Sequence, residues 1–74
     1  MWYSLFNMYY RWESDNLDKL ISADVYKDWD KYIVNVRCEE LNSRVCIDCD
    51  DLQVAIRVAY SEFNNYYKQT VLNK

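Results

Sequence analysis

The residues of this chain whose types and spacing could do chemistry are three cysteines and a set of clustered acids. Cys46 and Cys49 enclose Ile47 and Asp48 in a C-x-x-C spacing, with Cys38 upstream. Converging sulfurs at that spacing would suit zinc or thiol–disulfide work. Apolar residues alternate around them, however, and residues three apart on a strand point to opposite faces. Cys46 is therefore expected to face away from Cys38 and Cys49. With no fourth soft ligand and no glycine to form a knuckle, the thiols read as small buried hydrophobes, ahead of a zinc site or a Cys38–Cys49 disulfide.

The carboxylates of Asp48, Asp50 and Asp51 could in principle hold a hard cation or share a proton. Either needs a partly dry, concave pocket, and helix capping already accounts for Asp50 and Asp51. Tyr9, Tyr10 and Trp12 flank Arg11, and rings beside a cation can stack single-stranded bases. One arginine is not a basic patch, so these rings read as packing residues. The chain has no Gly, no Pro and no His. Phosphate-cradling loops, dinucleotide fingerprints and nucleophile elbows all require glycine, and triads and HExxH sites require histidine. No enzymatic activity, metal or cofactor is expected.

A chain of 74 residues is one domain, 1–74, and a domain of that size buries only about 60% of its unfolded surface. Its 51% apolar and 18% aromatic content offsets the small size, since a large ring buries on the order of 150–250 Å². The net charge of −3 is unevenly placed: residues 13–51 hold eleven acids against five bases. An acidic middle repels nucleic acid and anionic membranes and suits a basic protein surface. The N-terminus lacks a basic n-region, no stretch reaches transmembrane length, and the cysteine count is odd. These features lead us to expect a cytoplasmic protein.

The elements that must position these groups begin with a β-hairpin over residues 32–49. Tyr32, Val34, Val36 and Cys38 alternate on one arm, and Val45, Ile47 and Cys49 on the other. One shared apolar face requires an even loop, either 41–42, 42–43 or 40–43. Arg37 and Asp48 then become opposite or diagonal neighbours. Upstream, Ser4, Asn7, Arg11, Ser14, Asp15, Asp18 and Ser22 fall on one side of a helical wheel, predicting a helix over 2–21. Asp15 could cap a fresh start within it. Ser22 would cap a short second helix over 23–30, with Val25 and Trp29 as an apolar pair. Downstream, Asp50 and Gln53 form an acidic capping box for a final helix. Its inner face is Leu52, Ala55, Ile56, Ala59, Phe63, Tyr66 and Thr70, with Val54 and Val58 covered by the N-terminal helix and the tail fraying from Val71. The fold class is thus α+β, with an N-terminal helix region, an antiparallel hairpin and a C-terminal helix on the sheet. The alternative makes residues 2–12 a third strand, giving βαββα.

Through Asp24, Asp28, Asp30, Glu39, Glu40, Asp48, Asp50 and Asp51, set around a hairpin and helices, the chain resembles the small acidic inhibitors of phages and other mobile elements. Anti-CRISPR proteins are among them, some of which occupy the DNA-binding surface of a host nuclease. The resemblance implies a non-catalytic inhibitor that mimics the charge of DNA. Those eight acids are the expected contact surface, and the expected partner is the basic surface of a nucleic-acid-binding protein. An alternative is a structural or regulatory homo-oligomer joined through Trp2, Phe6, Tyr9 and Val54 or Val58. A third is a metal or redox protein built on the cysteines.

Overall fold

Alternation with period two runs from the N-terminal aromatics to Cys49, and it decides the fold. In the computed structural model, which describes residues 4–72, the chain forms β1 (Ser4–Ser14), β2 (Leu17–Asp28), β3 (Lys31–Cys38), β4 (Ser43–Cys49) and α1 (Leu52–Thr70). The strands make one antiparallel meander in the order β1-β2-β3-β4. The architecture is therefore ββββα. It replaces both the helix expected over 2–21 and the short helix expected over 23–30. The βαββα alternative is right about β1 and wrong about β2.

The physical reason lies in β2. Ile21, Ala23 and Val25 are fully buried while Ser22, Asp24 and Tyr26 between them stay partly exposed. Only a strand puts every second residue on one face. In β1, Phe6, Met8, Tyr10 and Trp12 turn to the same covered face, with Tyr10 meeting Tyr67 edge-on at 5.1 Å. The polar residues that mimic a helical stripe, Asn7 and Arg11 among them, lie on the opposite face. Between Ser4 and Phe6 the register shifts by a bulge, which inverts parity and brings Ser4 to the open face, where its hydroxyl donates to Asp24 at 2.7 Å. Trp2, the first residue of the expected apolar stripe, lies outside the described residues.

Glycine-free turns are possible because polar side chains tolerate positive φ. Asp15 (φ 54) and Asn16 (φ 64) close β1 on β2, as a type I′ turn requires. Neither Asp15 nor Ser22 caps a helix. The β3–β4 loop spans residues 39–42, with Cys38 opposite Ser43. Its even length is the parity expected, although it differs from the three loops considered. Asn42 takes positive φ (51) and donates its N–H to the Glu39 carbonyl at 3.1 Å.

Helix α1 lies across one face of the sheet, burying Ala55, Ala59, Phe63, Tyr66 and Thr70. Leu52 packs at the edge of the same core and Ile56 is half-buried, as the inner face predicts. Ala55 and Ala59 are wholly buried, so the backbone of α1 approaches the sheet closely. The cap is Asp51, which accepts from the Gln53 N–H at 2.8 Å. Asp50, expected in that role, pairs with Lys31 instead. No N-terminal helix covers Val54, which is 46% exposed, while Val58 packs against the core. Val71 ends the helix with its N–H bonded to the Tyr67 carbonyl at 2.8 Å and its side chain against the core.

Candidate functional site

The register splits the eight acids of the expected contact surface into two groups. Asp28 ends β2, Asp30 sits in the 29–30 turn, and Asp50 and Asp51 lead from β4 into α1. Because Asp28 is opposite Lys31 and Tyr32 is opposite Cys49, all four converge at one end of the sheet. Asp48 and Asp24 extend that cluster along the open face. Glu39 and Glu40 occupy the other end, about 23 Å away along β3 at roughly 3.3 Å per residue. A single surface of all eight acids, with Glu39 and Glu40 at its tip, is not what the fold makes.

Lys31 reports how closely the acidic end is drawn together. Its ammonium is held above its ordinary value by the hydrogen bond to Asp50, then by the charge of Asp50, and further by Asp30 and Asp48. Lys27, the other cation nearby, lies over the ring of Tyr32, 5.5 Å from its centroid. Burial raises the Cys49 thiol, with the charges of Asp48 and Asp50 pushing the same way.

At the tip of this end stands Trp29, which sequence reasoning placed on the apolar side of a helix. It is 91% exposed and its backbone has φ 58. A bulky side chain at positive φ is strained, and here it recovers no burial. Trp29 and Asp30 are the two central residues of the β2–β3 turn, with Asp28 on one side and Lys31 on the other. The available sequence signal was the parity of Ile21, Ala23 and Val25 against Val34, Val36 and Cys38, which demands an even turn between them.

The remaining candidate groups do not converge. Cys46 is exposed on the open face, whereas Cys38 and Cys49 are buried beneath α1, on opposite faces as expected. Cys38 pairs with Ser43 and Cys49 with Tyr32, so the two buried thiols sit at opposite ends of the hairpin. All three thiols are free. Arg37 faces Arg44, and Asp48 faces Ile33, so the expected Arg37–Asp48 neighbours are four register positions apart. Phe6 meets Tyr60 under α1 at 5.3 Å, while Tyr9 points from the other face of β1, 66% exposed. Of the residues proposed for a homo-oligomer, Phe6 and Tyr9 thus lie on opposite faces of β1, while Trp2 lies outside the described residues. Among the described residues no helix is long and apolar enough to cross a membrane.

Comparison with protein-family models, with curated proteins and with solved structures found no match. The functional reading accordingly stands on the geometry of the acidic end.

Proposed function

We propose that the protein is a non-catalytic inhibitor that presents its acidic end to a basic, nucleic-acid-binding surface of another protein and blocks it. One observation carries the reading: an almost fully exposed tryptophan at positive φ, at the same end of the sheet as Asp28, Asp30, Asp50 and Asp51, with Asp48 farther along the open face. Tryptophan is among the residues most enriched at binding hot spots, where it fills a desolvated pocket on the partner. The carboxylates steer the encounter and exclude partners of like charge. Backbone strain at a site that gains nothing from it in the free chain is where binding function is expected. In the phage setting that the resemblance implies, the partner is a host nuclease.

The test is capture from a bacterial lysate on immobilised wild-type protein, on Trp29→Ala, and on Asp28→Asn/Asp30→Asn/Asp48→Asn. A control carries Glu39→Gln/Glu40→Gln at the far end. The expected result is a nucleic-acid-binding protein that is displaced by DNA or RNA, is lost with the first two variants and is retained by the control. Asp51 is left untouched, because its loss would uncap α1. Capture indifferent to Trp29 and to the three acids would refute the proposal.

A homo-oligomeric reading is favoured by a different observation, the outer edge of β1, which pairs with no further strand among the described residues. It is an eleven-residue strand without proline, and such an edge can pair with another chain. Light scattering over a concentration series decides it, and a monomer throughout removes this reading.

A further inference from the structure

At the end of the sheet remote from Trp29, β3 and β4 set two arginines directly opposite one another, Arg37 against Arg44. Residues so paired have Cβ atoms about 4.5–5.5 Å apart, and like charges there are destabilising. Glu13 and Asp18 form a second like-charged pair in the sheet; the arginines border a cavity. It has a volume of 380 Å³ and is lined by Arg37, Cys38, Glu39, Asn42, Ser43 and Arg44. Both guanidinium groups are exposed. No ion pair ties either of them to a carboxylate among the described residues, Glu39 included. The rim is held in shape: Asn42 closes the turn at positive φ, and the Ser43 hydroxyl shares a 2.9 Å hydrogen bond with the Tyr66 hydroxyl on α1.

We infer that this cavity is a binding site for the phosphate group of a small phosphomonoester. Two planar forks with no carboxylate partner among the described residues call for an acceptor that can take paired N–H donors from each, as a phosphate does. The two arginines outweigh Glu39 in the lining, and a monoester, with close to two negative charges near neutral pH, is drawn to that positive excess more strongly than a carboxylate. The volume is of the size that holds a small organic ligand, leaving room for the alcohol portion beside the phosphate. The site lies outside the acidic end and does not depend on the function proposed for it.

Ribose 5-phosphate titrated at fixed ionic strength tests the assignment, followed by amide NMR shifts of residues 37–44. Ribose alone serves as the control for the alcohol portion. Saturable shifts are expected with the wild type, none with ribose, and affinity about tenfold or more weaker in Arg37→Gln and in Arg44→Gln, since each removes charge-assisted hydrogen bonds. Both arginines are exposed, so the variants should keep the wild-type spectrum elsewhere, and their melting temperatures should equal or exceed the wild type because the opposed charges are gone. Shifts that never saturate, or that persist undiminished in both variants, would overturn the assignment.

Discussion

Trp29 is held in a conformation that most side chains avoid, and its exposure of 91% means that the ring repays none of that strain within the chain. Trp29→Gly should therefore stabilise the isolated protein by about 0.5–1 kcal/mol, by removing the cost of positive φ, while abolishing partner capture. Thermal unfolding beside the capture assay checks both. The thiols allow a second test. Cys46 should react with a thiol reagent within the dead time of mixing, and Cys38 and Cys49 only on unfolding, because they lie beneath α1. Cys49 also sets an alkaline limit. Burial raises its thiol above the ordinary value of 9.0, so the folded chain keeps a proton that the unfolded chain releases. That contribution is intact below about pH 9 and is lost as the pH rises through the raised folded value. Melting temperature should fall as the pH rises above about 9, and less steeply in Cys49→Ala.

Among the elements, α1 and the β3–β4 hairpin were legible in the sequence, and β1 and β2 were not. The hairpin declares itself because Val34, Val36, Val45 and Ile47 can share a face in only one parity. The helix does so through Ala55, Ala59, Phe63 and Tyr66 at helical spacing. Ala59 is wholly buried at the contact of α1 with the sheet. Ala59→Leu should destabilise the protein by about 1–3 kcal/mol, because added methylenes there force the helix away from the strands; a denaturant melt measures it. In β1 the spacing of Ser4, Asn7 and Arg11 is a coincidence of the bulge and of an exposed strand face. In β2 the alanine and aspartates have weak strand propensity alone, and only pairing with β1 and β3 makes them a strand.

Across the whole molecule, 41 Å in its longest dimension, the two ends of the sheet carry different charge clusters. Asp28, Asp30, Asp50 and Asp51 lie at the end that holds the Trp29 turn, with Asp48 along the open face, whereas Arg37 and Arg44 flank the far cavity beside Glu39. If the acidic end docks on a basic surface, the association rate should fall steeply between about 0.05 and about 0.5 M salt as screening shortens to a few ångströms. The dissociation rate should change little with salt and rise sharply in Trp29→Ala, since loss of a buried anchor acts mainly on release. Stopped-flow mixing with the captured partner separates the two. Charge reversal at Glu39 and Glu40 should leave both rates near their wild-type values.

Composition alone determined that these 74 residues offer no glycine- or histidine-based chemistry. Local alternation alone determined the two faces of the 32–49 hairpin and the opposed placement of its cysteines. Which acids share a surface was decided only by tertiary structure, because adjacency across a sheet depends on register, and register depends on turns far from the residues it brings together. A two-residue turn at Trp29–Asp30 sets Asp28 beside Lys31 and carries Asp30 toward Asp50. A four-residue loop over 39–42 sets Arg37 against Arg44 in place of Asp48. Each is a matter of one or two residues of loop length, small in the sequence and decisive for which charges meet.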